Sequence, residues 1–347
     1  MGRTTIRQVA DAAGVSIGTA SLVLNGRSKE KRLSDDCVER VNTASKELGY
    51  VGSYHARTLV RGKAMTLGFV TRFHAQDMTR PSVETGIATE ANERDYEILN
   101  ILMSDGHAAI RRAVRYVEQG RIDGFAIFMG GWTRSDVARE IPAHVPAVHI
   151  WFAPDGFFPL VTMGPAPGIA EAVEHLAELG HRRVAWLGIE TPESRELPDR
   201  LAAFREASKE ADLSTIEHYV KMPARRPKQP DRTVSGFHGR FAGKLGFLGD
   251  ATAVLCYNDA MATGLSIALR EEGRSVPGDV SLVGFDDIQA TYASPPLTTI
   301  SHVLPEMGRA SVRYLDELIG SGDQRQEAEV RVPSRLVVRR STAPPGS

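Results

Sequence analysis

The chain contains no run of about 18 apolar residues, so nothing in it reads as a transmembrane helix. Its first residues, MGRTTIRQVADAAGV, lack the apolar stretch of a secretory signal. Cysteine is almost absent. Cys37 and Cys256 alone can form neither a disulfide framework nor a metal quartet. There is no GxGxxG, and no histidine pair has metal-ligand spacing. HGRFAGKL only approaches a phosphate loop. Gly239 and Gly243 are one residue too close together, and Leu245 stands where the loop needs a hydroxyl. The expectation is a cytoplasmic protein with no membrane partner, no metal and no cofactor.

An excess of charge of either sign is also missing. Against 42 Lys+Arg stand 43 Asp+Glu, a net charge of −1, which taken alone argues against a nucleic-acid binder. The charge is unevenly spread, however. Residues 1–63 hold 11 basic and 6 acidic side chains, a balance of +5. The remainder holds 31 and 37, a balance of −6. A small basic head attracts phosphate backbones whatever the average says. At 347 residues, with 42% hydrophobic residues, the chain can fill two or three cores.

The head has helical punctuation. Thr5 and Gln8 have the spacing of a capping box, and Ile6, Val9, Ala10 and Ala13 follow at helical intervals. Gly14 can end that helix in the left-handed conformation, Val15 fills the corner, and Ser16 can cap a second helix. The second helix runs Ile17 to Leu24 with Ala20, Val23 and Leu24 as its apolar face, and Asn25-Gly26 stops it. A third runs Asp35 to Leu48 behind the Ser34 cap, with Val38, Val41 and Leu48 on one stripe and Gly49 as terminator. Two short helices about a glycine turn, braced by a third, form a helix-turn-helix.

TIRQVADAAGVSIGTASLVLNG resembles the N-terminal signature of the LacI/GalR family of bacterial transcription regulators. The likeness rests on Thr5, Ile6, Val9, Ala10, Ala13, Gly14, Val15, Ser16, Thr19, Ser21, Val23, Leu24 and Asn25. The chain departs at Gln8, Ala20 and Leu22, where the family has Asp, Val and commonly Arg. The resemblance implies that the second helix enters a DNA major groove with Ile17, Gly18 and Leu22 facing base edges. None of these can form a bidentate hydrogen bond to guanine or adenine, so direct readout is expected to be weak and DNA shape important. Thr5, Ser16, Thr19, Ser21 and Asn25 are of the kind that bond phosphates and fix register. Ala56-Arg57-Thr58-Leu59 resembles the family's hinge helix, in which Leu59 would be an apolar wedge in the minor groove. Gly52-Ser53 replaces the family's Pro-Asn.

From residue 66 the pattern becomes strand and helix in alternation. Strands are expected at 66–70, 96–102, 122–128 and 148–151, then at 183–188, 253–256 and 280–285. Helices are expected at about 82–95, 107–119, 169–179, 200–212 and 260–272. Such alternation implies parallel sheets covered by helices. HLAELGHRRVAWLG, NDAMATGLSIALREEG, VPGDVSLVGFDDI, PPLTTI and LVVRRST also resemble family blocks.

The fold class expected is therefore an all-α helix-turn-helix head plus an α/β, periplasmic-binding-protein-like body of two doubly wound lobes. The division expected is a head at 1–50 and a linker with hinge at 51–63. The first lobe takes 64–164 and 297–325, and the second takes 165–296 and 326–341. Residues 342–347 are expected to be a disordered tail, Pro- and Gly-rich and without heptads, which favours a homodimer. Ligands of such folds lie at the carboxyl ends of the strands. Arg200, Asn258 and Asp286 match the family's effector contacts there, and Arg200 can clamp a carboxylate or paired hydroxyls. One of Asp286 and Asp287 is expected to cap the turn. Phe73, Trp132 and Trp151, with His74 and Phe152, stand where an aromatic could flank the effector. His181 is expected to be structural. The function implied is a repressor on a pseudopalindromic operator, controlled by a small effector that is by family default a sugar. The alternative is a cytoplasmic small-molecule-binding protein or an enzyme on the same scaffold.

Overall fold

The computed structural model describes residues 4–50, 62–72, 79–103, 106–128, 140–151, 159–190, 196–221, 234–321 and 329–346. In the head, α1 spans Ile6–Ala13, α2 Ile17–Leu24 and α3 Asp35–Glu47. The capping box forms as expected, with the Gln8 amide donating to Thr5 Oγ1 and the Thr5 amide to Gln8 Oε1. Gly14 adopts φ 65° and turns the chain from α1 into α2. Ser34 caps α3. Val9, Ala10, Ala13, Ala20, Val23, Val41 and Ala44 form the buried core, packed round by Ile6, Val15, Leu24, Leu33, Val38 and Tyr50. Leu48 departs from the expected stripe and is 40% exposed. The helix has ended by that residue, and Tyr50, beyond the turn at Gly49, packs against the core instead.

The body contains two six-stranded sheets. The first is built from β1 (Thr66–Arg72), β2 (Glu97–Met103), β3 (Gly124–Phe128), β4 (Ala147–Ile150), β5 (Leu160–Gly164) and β11 (Glu329–Pro333), in the order β11-β5-β4-β3-β1-β2. The second is built from β6 (Arg183–Glu190), β7 (Ser214–Lys221), β8 (Ala253–Cys256), β9 (Ser281–Asp286), β10 (Thr298–Ser301) and β12 (Arg335–Val337), in the order β12-β10-β9-β8-β6-β7. Strands β6 to β10 run parallel, and β12 joins β10 antiparallel. Between strands lie α4 (Arg80–Glu93), α5 (Gly106–Glu118), α6 (Ala166–Glu178), α7 (Glu196–Glu210), α8 (Val234–Phe241), α9 (Asp259–Glu271) and α10 (Leu304–Ser321).

The sheets correct the expected lobe boundaries. Thr298–Ser301 had been placed with the first lobe, yet it pairs with β9 in the second sheet. Residues 329–333 had been placed with the second lobe, yet they pair with β5 in the first. The chain therefore crosses at 164–165, again just after Ser301, and again at Ser334. Ser334 is buried, and its Oγ accepts from the Gly168 amide and lies 2.9 Å from the Gly164 carbonyl, so two crossings are tied together.

Helices α4 and α10 touch backbone to backbone. A Cβ on Gly86 would lie 1.8 Å from the Pro305 carbonyl oxygen, and one on Gly308 would lie 2.3 Å from that of Val83. Beside this crossing the buried Glu90 is bonded by Arg94, Arg309 and Arg313. Burial pushes its carboxyl up, but the three guanidinium groups outweigh that and hold it below the usual range.

The expected disordered tail is also corrected, because residues 341–343 are docked on the second sheet. Ser341 is fully buried and bonds Leu282 O and the Thr298 amide. The Ala343 amide donates to Ser281 Oγ, His181 Nε2 lies 3.1 Å from Ala343 O, and His175 Nε2 lies 2.9 Å from Thr342 Oγ1. His181 has the structural place expected of it, since its Nδ1 also meets Thr252 Oγ1. Burial holds both imidazoles below their usual pKa.

Candidate functional site

The second helix of the head is closed by its own side chains. Ser16 Oγ accepts from the Thr19 amide and meets Thr19 Oγ1 at 2.9 Å. Asn25 Nδ2 donates to Ser21 O at 2.7 Å and to Ser21 Oγ at 3.2 Å. Thr5, Ser16, Thr19, Ser21 and Asn25 thus hold the shape of the helices. Ile17 is 41% exposed and Gly18 is exposed, while Leu22 is half-buried but takes no part in the packed core. Gly14-Val15-Ser16-Ile17-Gly18 has the spelling GxSxG of a hydrolase nucleophile elbow. Here Ser16 follows a helix rather than a strand, and its hydroxyl is spent on a cap. The expected hinge residues Ala56, Arg57 and Leu59 lie outside the described residues, as do Phe73, His74, Trp132, Phe152 and the Pro-rich insert 223–232.

In the body, polar and aromatic side chains converge where the chain leaves β10. Arg200 is 2% exposed, so it is no surface ion pair. Its Nη1 donates to Tyr257 O at 2.9 Å, its Nη2 lies 4.0 Å from Asp286 Oδ1, and its guanidinium lies 3.8 Å above the Phe285 ring. Asp286, at the end of β9 with φ 105°, also meets His302 Nε2 at 2.5 Å. The His302 ring stacks on Trp151 at 4.7 Å and meets Phe285 edge-on at 5.2 Å. Trp151 in turn meets Phe128 edge-on. Residues of both lobes are thereby joined through one imidazole.

Three sequence expectations need adjustment here. Asn258 Oδ1 is occupied in capping α9, where it accepts from the Met261 amide at 2.9 Å. Neither Asp286 nor Asp287 caps the turn after β9. Asp287 pairs with Arg339 at 2.7 Å, and it is Asp259 Oδ2 that accepts from the Ile288 amide. Asp259 Oδ1 accepts from Thr299 Oγ1 at 2.5 Å. Burial, then the negative charge of Asp286, pushes the Asp259 pKa up to about 7. Sequence reasoning missed His302. It follows a parallel strand at its carboxyl end, the position that fills a crevice in such folds, and assigning 298–301 to a strand would have exposed it.

Among the described residues no three His, Cys, Asp or Glu could hold a metal ion, and no helix is long and apolar enough to cross a membrane. Residues 5–53 match the family model for bacterial regulatory proteins of the lacI family, and residues 173–342 match that for a periplasmic binding protein-like domain. The chain is 29% identical to the HTH-type transcriptional regulator DegA of Bacillus subtilis, with 99% of each chain covered. It is 26% identical to the HTH-type transcriptional repressor PurR of Haemophilus influenzae, with 97% of this chain and 98% of that one covered. Its fold is similar to that of the Lac repressor dimer bound to operator and the anti-inducer ONPF, with TM-score 0.74, 26% identity and 99% and 100% coverage. It is also similar to a CelR–cellobiose complex, with TM-score 0.61, 26% identity and 98% and 100% coverage. With a LacI-type helix-turn-helix at its start and a two-lobed periplasmic-binding-protein-like body behind it, the chain belongs to the LacI/GalR family of transcriptional regulators.

Proposed function

We propose that the protein is a cytoplasmic, homodimeric repressor that binds a pseudopalindromic operator and is released from it, or held to it, by a small effector seated between its lobes. The observation that carries the reading is the second helix of the head. Its ends are closed by Ser16 and Asn25, and its Ile17, Gly18 and Leu22 are left out of the core. A surface of that composition offers methyl groups and close backbone approach to a groove, and Ile17 and Leu22 suit thymine methyls. Thr5, Ser16, Thr19, Ser21 and Asn25 would hold phosphates and set register. Two heads on a two-fold dimer would read half-sites about one helical turn apart. Ala56, Arg57 and the Leu59 wedge would open the minor groove at the centre.

The effector would lie against Arg200, Asp286 and Trp151, with Asn258 Nδ2, Phe73 and Trp132 as further contacts. An effector can shift the lobes only by the difference in its affinity for their two arrangements. No catalytic group is assigned. The test is selection of bound duplexes from a random pool by the full chain, followed by anisotropy titration. A pseudopalindrome rich in A·T, bound at least about a thousandfold tighter than random DNA, is the expected result. No preference over random DNA, or a dominant guanine opposite Ile17 and Leu22, would overturn it.

A further inference from the structure

We propose that His302 is a further effector-binding residue, and that with Asp286 it selects an uncharged ligand carrying several hydrogen-bond donors, a polyol or sugar, over carboxylates and phosphates. This deepens the effector site proposed above and rests on that reading.

His302 is 1% exposed, and its two ring nitrogens have different surroundings. Nε2 lies 2.5 Å from Asp286 Oδ1, while Nδ1 is buried with no hydrogen-bond partner among the described residues. A carboxylate can only accept, so the proton lies on Nε2 and Nδ1 is left as a bare acceptor. Asp286 is the ionised member of its neighbourhood. Its charge is one of the causes that keep Asp259 protonated up to about 7. A buried, unmatched acceptor destabilises the empty site, and a ligand hydroxyl placed against it removes that cost.

The cation of the cluster does not favour an anion. Arg200 donates to Tyr257 O, covers the Phe285 ring and lies 4.0 Å from Asp286, so the carboxylate already offsets its charge. What remains is one carboxylate and one imidazole lone pair, both acceptors, beside the half-buried indole of Trp151 stacked on His302. Donors satisfy such a site, and a second anion would face Asp286 directly. The backbone agrees. Trp151 (φ 96°), Asp286 (φ 105°) and Val303 (φ 47°) all carry left-handed φ without being glycine, and strain of this kind gathers at ligand clamps. A residue that merely braced the crossing would need Nε2 and a ring face, and would leave Nδ1 with nothing to do.

The test is calorimetry and thermal shift of the full chain against three sets of probes: glucose, galactose, ribose and cellobiose; gluconate and glucuronate; and glucose 6-phosphate and ribose 5-phosphate. His302→Phe and His302→Gln are measured alongside, and effector-free DNA binding is measured for every variant. The expected result is that at least one neutral sugar binds and no acid or phosphate does. His302→Phe, which keeps the ring stack, weakens the sugar about tenfold or more. His302→Gln, which restores a donor to Asp286 and an acceptor beside it, stays within about threefold of the parent. Binding of an acid or phosphate, binding of none of the neutral sugars, or unchanged affinity in His302→Phe overturns the proposal. The probe panel on the unaltered protein decides the ligand class even where His302→Phe fails to fold. Absence of DNA binding by the unaltered protein would instead sink the repressor reading and leave the His302 result standing.

Discussion

Replacing Asp259 by Asn should change how stability depends on pH. Asp259 is 3% exposed and holds two elements in place, with Oδ1 on Thr299 Oγ1 and Oδ2 on the Ile288 amide. Its folded pKa is about 7, against the ordinary 3.8. A raised acid keeps its proton in the native state while the unfolded chain has already lost its own. The stability so gained is fully present below 3.8 and is lost as pH rises to about 7. That gap, at about 1.4 kcal/mol for each pH unit, corresponds to roughly 4 kcal/mol. Asn keeps both bonds, since its oxygen can accept from Ile288 and its amide can donate to Thr299. Asp259→Asn should therefore be the more stable protein at pH 7.5, by a few kcal/mol and at most roughly 4. The advantage should shrink steadily toward pH 4.5. Urea unfolding followed by fluorescence at several pH values measures it, because Trp186 is fully buried in the same sheet. Opposing carboxylates such as Glu217, held low by Arg205, cancel when variant and parent are compared at one pH. A stability difference that stays constant across that range would refute the reasoning.

Ser16→Ala removes the cap of α2 and should cost the head about 1 kcal/mol, read as an earlier unfolding step in circular dichroism together with weaker DNA binding. Gly86→Ala places a methyl 1.8 Å from the Pro305 carbonyl and must drive α4 from α10, so a loss of at least about 2 kcal/mol in first-lobe stability is expected. A crystal structure with the crossing unchanged would contradict it. The tail should loosen in acid. The His181 and His175 pKa values are held below 6.5, so the stability they lend is present above that value and falls as pH drops through their folded values. Exchange of the Ala343 amide should accelerate between pH 6.5 and pH 5, and an unchanged rate would argue against the latch.

The head was legible almost residue by residue, because Thr5, Gly14, Ser16 and Ser34 act locally and their neighbours in sequence are their neighbours in space. The body was legible where a strand is fully buried, as at Ala253–Cys256. It was less so at Ser214–Lys221, an edge strand half open to solvent whose charged residues hide its period. The two late strands were misplaced for a different reason. Thr298–Ser301 and Glu329–Pro333 each pair with a strand remote in sequence, and nothing local to them names the sheet. In the cleft, Arg200 and Asp286 could be named from sequence and do meet. His302 could not, since its importance lies in what surrounds it.

The two sheets share one dependence. β11 and β12 form an edge of each, and both are made from residues after 328. The head closes on contacts within about fifty residues and can fold as soon as it leaves the ribosome. Neither half of the receptor can complete its sheet until synthesis is nearly over. A message cut short near its end would therefore yield a protein that still carries an intact reader of DNA, with both halves of its sensor incomplete. In this chain the ability to bind is made first, and the ability to be told to let go is made last.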